Sequence, residues 1–208
     1  MTKSVFRFST LITLAIAPVF ADTWDFSSPH GSLGNSQTYT GTGTLGLVVT
    51  AYGFNGSSPR HLFGKDEGGD ENGLGLVDTF DNELNAGTGQ FIQLDVSKLF
   101  GQVTNVEVEM GSSTHPDAWE ILESNSLGTV GTHVVLTGSN ESLDSITLDS
   151  NYKYLTFEAT DGNVLLDSMQ ATETRHSDTA PVPEPTSIVL LGTVLAFGGK
   201  FLQRRLAA

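Results

Sequence analysis

Between Leu45 and Glu173 the chain repeats one pattern: a short run of β-branched or aromatic residues, a break at Gly, Asn or Ser, then another run. "LGLVVTAYGF" (45–54), "QFIQLDV" (90–96), "TNVEVEM" (104–110), "AWEILES" (118–124), "THVVLTG" (132–138), "YKYLTFEAT" (152–160) and "NVLLDSMQATE" (163–173) all follow it. Runs this short, without apolar residues spaced by three and four, specify strands. In "VEVEM" Val106, Val108 and Met110 face one way and Glu107 and Glu109 the other, a period of two that puts one set in a core and the other in water. In "YKYLTFEA" both faces are partly apolar, which suits an inner strand. "TDGN" (160–163), between two apolar runs, carries a hairpin signal. "VSKLFG" (96–101) has room for one helical turn. "NGSSPRHLFGKDEGGDENG" (55–73) is too polar for a strand and reads as a long surface loop. The sum predicts an all-β fold, a two-sheet antiparallel β-sandwich that is jelly-roll-like.

Both ends differ from this pattern. "MTKSVFRFSTLITLAIAPVFA" has Lys3 and Arg7 ahead of an apolar run that closes on Val19-Phe20-Ala21, with small residues at the two positions a signal peptidase reads, the layout of a secretory signal peptide cut between Ala21 and Asp22. Near Thr172 the strand pattern stops, and three prolines at 181, 183 and 185 favour an extended, stiff linker. Thr186 to Gly199 then carries no charge, and Lys200, Arg204 and Arg205 follow. Fourteen helical residues rise about 21 Å against roughly 30 Å of hydrocarbon, so the tail suits brief anchoring in a membrane. The basic cluster is expected on the cytoplasmic side, with the rest of the chain outside. The expected organisation is signal peptide 1–21, sandwich 22–173, linker 174–182, and a tail 183–208 containing a transmembrane helix.

Pro183, Glu184 and Pro185, the apolar run and the closing basic cluster together resemble the PEP-CTERM sorting signal. That resemblance implies a bacterial protein exported past signal peptidase, held transiently in the inner membrane and processed by an exosortase. It implies a destination at the cell surface or in the extracellular matrix, among exopolysaccharide. Leu206, Ala207 and Ala208 extend past the arginines, where many members of the family stop. A weaker similarity links "GLGLVDTFDNELNAGTGQFIQLDVSKL", "WEILESNSLGTVGT" and "YKYLTFEATDGNVLLDSM" to β-rich ectodomains of PEP-CTERM proteins and to galactose-binding-like jelly rolls. It implies a fold more than an activity.

Charge and composition narrow the chemistry. Residues 22–182 hold 23 acidic and five basic residues, a formal net of −18. Such a surface repels phosphate backbones, which argues against nucleic-acid binding, and attracts divalent cations. The chain has no cysteine, so disulfides, thiol catalysis and zinc–thiolate sites are excluded. The acidic stretch from Asp66 to Glu83 does not fit an EF-hand, because Gly68 and Val77 fall where ligands are needed. Any calcium ion would sit on loop and strand ends, with Asp78, Asp81 and Glu83 as candidate ligands. Sugar binding needs exposed aromatic faces. Trp24, Tyr39, Tyr52, Phe54 and Trp119 are available: Tyr52 and Trp119 sit in strand patterns that suit a core, Tyr39 and Phe54 beside glycine-rich segments that suit a loop mouth. Ser113, His115 and Asp117 lie too close in sequence for a triad, whose members converge from distant segments. No catalytic residues are assigned, and the five histidines show no metal spacing. The expected role is structural or binding, without turnover. A carbohydrate-binding module for exopolysaccharide is the alternative, and a secreted glycan hydrolase comes third.

Overall fold

The computed structural model describes residues 21–174 apart from 69–70, 79–80, 113–116, 140 and 142. The signal peptide before Ala21, Ser113, His115, and the tail with Pro183, Glu184, Pro185, Lys200, Arg204 and Arg205 lie outside the described residues. Among the described residues no helix is long and apolar enough to cross a membrane.

Alternation of apolar and polar residues gives the described chain fifteen strands and no helix. The first five are β1 (Ala21–Asp25), β2 (Gly31–Gly34), β3 (Ser36–Thr40), β4 (Val48–Asn55) and β5 (Ser58–Arg60). Next come β6 (Leu62–Asp66), β7 (Asn72–Leu76), β8 (Leu84–Asn85), β9 (Gln90–Asp95) and β10 (Val103–Gly111). The last five are β11 (Ala118–Ser124), β12 (His133–Gly138), β13 (Asp144–Ile146), β14 (Tyr154–Asp161) and β15 (Asn163–Glu173). One sheet runs β13-β10-β15-β7-β6-β2, with β1 and β8 also paired to β15. The other runs β12-β11-β14-β9-β4-β3, with β5 on β4. All pairings are antiparallel.

The core lies between the sheets. Trp24, Leu74, Val108, Met110, Leu166 and Met169 come from the first, and Ile92, Leu94, Trp119, Ile121, Leu155 and Phe157 from the second. Val106, Val108 and Met110 are buried as their alternation predicts, and β14 is an inner strand between β11 and β9. The second sheet also buries part of its outer face. Gln93 points away from the core yet is fully buried, because the β11–β12 connection folds across it. Its amide donates to the carbonyls of Thr129 (2.9 Å) and Ser126 (3.4 Å), and its carbonyl accepts the Gly128 N–H at 2.7 Å.

Four expectations need correction. The supposed loop 55–73 contains β5, β6 and the start of β7. Its glycines stand where side chains could not: a Cβ on Gly64 would lie 2.0 Å from the Pro29 carbonyl oxygen, and one on neighbouring Gly75 2.1 Å from that of Asn82. Close backbone approach thus takes the place of apolar residues. The Asp161–Gly162 turn makes no hairpin. It is a corner where the chain leaves β14 in one sheet and enters β15 in the other, and Gly162 takes φ +57° to turn it. Tyr39 and Phe54 are not at a loop mouth. Tyr39 is buried edge-on against Phe26 and Phe54 is buried in a stack on Phe91. Residues 96–101 form successive hydrogen-bonded turns, Leu99 N–H to Val96 and Gln102 N–H to Leu99, and no helix.

Candidate functional site

Two regions of the sandwich hold its backbone strain. Among the described residues, Asn82, Ser112 and Asn105 are the non-glycine residues with left-handed φ, at +61°, +53° and +49°. Such strain persists only where the surroundings fix it, and it gathers at functional sites.

Asn105 sits in a bulge. Thr104 pairs with Thr172 but Glu107 pairs with Gln170, so β10 carries one extra residue against β15. The bulge projects Asn105 to the surface beside a cleft of about 440 Å³ between the start of β10 and the segment 145–150. Val106, Ile146 and Leu148 form its apolar floor together with the half-buried ring of Phe100, and Thr104, Asn105, Ser145 and Thr147 carry hydroxyls and an amide around it. Among the described residues, no ionisable one lines the cleft. Such a lining repels neither anions nor neutral molecules, and its volume falls in the range of small-molecule sites.

Asn82 and Ser112 belong to the second region, where the structure brings together Asp78, Asp81 and Glu83. Asp78 Oδ1 accepts the backbone N–H groups of Asp81 (3.1 Å) and Asn82 (3.0 Å). The Asn85 side-chain amide joins Asp78 Oδ2 (2.9 Å) to Asp81 Oδ1 (3.0 Å). That of Asn163 joins Asp81 Oδ2 (3.1 Å) to Glu83 Oε2 (2.7 Å). Glu83 is only 1% exposed, and the ammonium of Lys65, 5% exposed, bonds it and Glu71. Ser112 donates to both carboxylates at 3.0 and 3.1 Å. Burial pushes the Glu83 carboxyl above its ordinary range against the pull of Lys65, while the Lys65 hydrogen bond holds the more exposed Glu71 below it. Burial alone would lower the Lys65 ammonium, but its two carboxylate partners outweigh it and raise it. The cluster therefore has its counter-charge from the chain itself, and among the described residues no group of three or more His, Asp or Glu is arranged to hold a metal.

Carboxylates crowd at two further places. Glu120 and Glu158 face each other across β11 and β14, and burial, then the hydrogen bond and charge of Glu120, raise Glu158 to about 7. Burial raises Asp167 to about 6, with Glu109, Asp25 and Glu141 adding to it. Trp24 and Trp119 are buried, Tyr52 is half-buried, and Asp117 is buried against Gly162. His133 bonds the buried Glu123 at 2.8 Å and stacks on Tyr152.

Sequence reasoning missed Asn105, Lys65, Ser112, Asn163 and the Glu120–Glu158 pair. Lys65 had a signal: it is the one basic residue between Arg60 and Lys98, set among acids. The glutamate pair had none, because register alone makes it. Comparison of the chain with protein-family models, curated proteins and solved structures finds no match.

Proposed function

We propose that the chain is an exported bacterial protein whose jelly-roll-like sandwich serves the cell surface or extracellular matrix by binding or as structure, without turnover. A signal peptidase cuts after Ala21, and an exosortase reads Pro183-Glu184-Pro185 beside the inner membrane. Lys200, Arg204 and Arg205 stop the tail there. The observation that carries this reading is that β15 ends at Glu173 and the strands up to it already enclose a core, ahead of the proline-rich linker and tail. Mass spectrometry of the protein recovered from cells tests it. A C-terminus near residue 185 is expected, and an intact chain to Ala208 would leave simple anchoring in its place.

The uncharged cleft favours a second reading, in which the sandwich binds a neutral polysaccharide of the matrix. Apolar floor, half-exposed Phe100 and surrounding hydroxyls suit the two faces of a sugar ring. Glycan-array binding by the mature chain should fall at least tenfold in Asn105→Ala and Phe100→Ala. Binding indifferent to both changes would move the ligand elsewhere.

Calcium at Asp78, Asp81 and Glu83 would have to compete with Lys65 and with the amides of Asn85 and Asn163. A melting temperature raised by millimolar calcium in the wild type but not in Asp81→Asn is the result that supports it.

A further inference from the structure

Between His30 and Arg60 the chain holds no acidic or basic residue, its longest such stretch, although residues 22–182 carry a formal net charge of −18. β2, β3, β4 and β5 all lie in it. β2 ends one sheet, β3 ends the other, and Asn35 alone joins them, so the two edges meet on one uncharged flank. The other sheet ends are blunted in ways that stop strands from adding. β12 is bulged at Val135, β2 shifts register between Ser32 and Gly34, and β13 has three residues, one of them Asp144. β3 has none of these defences. It keeps unbroken register with β4, from Ser36 opposite Tyr52 to Thr40 opposite Val48. The Gly53 N–H bonds the Asn35 carbonyl and the Gly41 N–H bonds the Leu47 carbonyl, so the odd-numbered residues face β4. Alternation then turns the N–H and C=O groups of Ser36, Thr38 and Thr40 away from it. Thr42, next in that set, likewise sends its N–H outward, to the Thr23 carbonyl. Among the described residues no strand lies beyond Ser36, Thr38 and Thr40, and all three are exposed. The Gln37 amide reaches the Thr38 carbonyl at 3.2 Å, a local link that an added strand displaces.

We propose that β3 pairs with β3 of a second copy of this chain, antiparallel about a two-fold axis at Thr38, and so joins two seven-stranded sheets into one. Nothing in this pairing requires the export reading above. The axis sets Thr38 of one copy opposite Thr38 of the other, with Ser36 and Thr40 opposite each other on either side. These are the residues whose backbone groups turn outward, so each facing pair exchanges both of its hydrogen bonds. A slip of one residue would oppose them to residues already bonded to β4. The side chains match as well. Thr38 meets Thr50 of β4 hydroxyl to hydroxyl at 3.1 Å, and the axis continues that row across the joint as a cross-strand Thr–Thr pair. Charge selects the occupant. Two copies at −18 repel over most of their surfaces and approach at least cost where neither is charged. A basic foreign strand would find no carboxylate on β3 to meet. Arg60, which closes the stretch, is held on the Val77 carbonyl at 2.8 Å. Antiparallel pairing also carries the loop after β3 toward the end of the partner strand where β2 turns in. That loop holds Leu45, at 49% the most exposed large apolar side chain among the described residues. One strand pair with its flanks makes a small, isologous and reversible interface.

The test uses residues 21–174, which hold all fifteen strands and the core, so that the apolar tail cannot associate in their place. Sedimentation equilibrium should show a reversible dimer at about 100 µM protein. It should tighten about threefold or more between low salt and about 0.5 M NaCl, as screening removes the repulsion. Thr38→Lys sets like charges face to face and should weaken the dimer at least about tenfold, as should Thr38→Glu. The side chain is exposed, so both variants should keep the wild-type circular dichroism. An equal mixture of the two should regain the dimer, because opposite charges then meet at the axis. Thr137→Lys, the same change at an exposed position of β12 on the opposite flank, should leave association as it is. A chain that stays monomeric at both salt concentrations overturns the proposal and leaves the edge to a strand from elsewhere. A dimer that tolerates Thr38→Lys, or that loosens as salt rises, overturns it too. One lost in Thr137→Lys moves the contact to β12. A mixture of the two Thr38 variants that stays monomeric overturns the two-fold register.

Discussion

Replacing Lys65 by Met should be among the most damaging single changes in the sandwich. The side chain keeps its length but loses the ammonium that bonds Glu83 and Glu71. Glu83, 1% exposed, would then be left with the Ser112 hydroxyl and the Asn163 amide. Breaking a buried ion pair from one side costs about 3–5 kcal/mol, against a total stability of about 5–15 kcal/mol for a domain. Urea unfolding of the 22–208 chain at pH 7 should show that loss, with a melting temperature lower by about 6–20 °C. The loss should shrink on going to pH 5, because the stranded Glu83, already raised by burial, takes up a proton more readily without Lys65. In the wild type the raised Lys65 contributes below about pH 10 and is lost only as pH climbs through its folded value. The lowered Glu71 contributes above about pH 4 and is lost as pH falls. Adding Glu83→Gln to Lys65→Met should recover most of the stability, since a neutral amide can stay bonded to Ser112 and Asn163. If the single variant loses less than about 1 kcal/mol, or the double is no better than the single, the ion pair is not what holds these five segments together.

Glu158→Gln should raise the melting temperature clearly at pH 8 and hardly at pH 4. The Glu158 carboxyl is raised from its ordinary value to about 7, so its ionisation costs stability progressively as pH climbs from the ordinary carboxylate range to about 7 and the cost is complete above that; a carboxyl NMR titration should place its midpoint there. Gln93→Leu should cost about 2–4 kcal/mol, because it strands the Gly128 N–H and the carbonyls of Ser126 and Thr129; hydrogen exchange at 126–129 should speed up before exchange in β9 does. Gly138→Ala should destabilise by about 1–3 kcal/mol, seen as a lower denaturation midpoint, because its Cβ would stand 2.2 Å from the indole of Trp119, a ring fixed in the core.

The sequence spoke most clearly where side chains alternate. Val106, Val108 and Met110 announce a strand and its buried face at once, and β9, β11, β12 and β15 each fall within a run read from the sequence, as does β14 but for its last residue. It was silent where backbone does the packing. "NGSSPRHLFGKDEGGDENG" looks like loop because it is poor in apolar residues, yet Gly64 within it and Gly75 just beyond it occupy places where another chain segment, and no side chain, fills the space. The Asp161–Gly162 corner shows a different limit: a tight turn fixes the local bend, whereas the choice of hairpin or sheet change depends on which partners β14 and β15 find. Tyr39 and Phe54 sit beside glycines in sequence, yet Phe26 and Phe91, far along the chain, close over them. Of the candidate site, the acids at 78, 81 and 83 were legible as a cluster, but their organising groups Lys65, Ser112, Asn85 and Asn163 arrive from other strands and loops.

β15 is the longest strand in the sandwich, with β10 along one flank and β1, β7 and β8 sharing the other. It is also the strand through which any pull on the C-terminal end must pass. Such a pull runs along ladders on both sides and loads them in shear, so many hydrogen bonds resist together instead of unzipping one at a time. A chain pulled at that end is gripped where many bonds must fail at once.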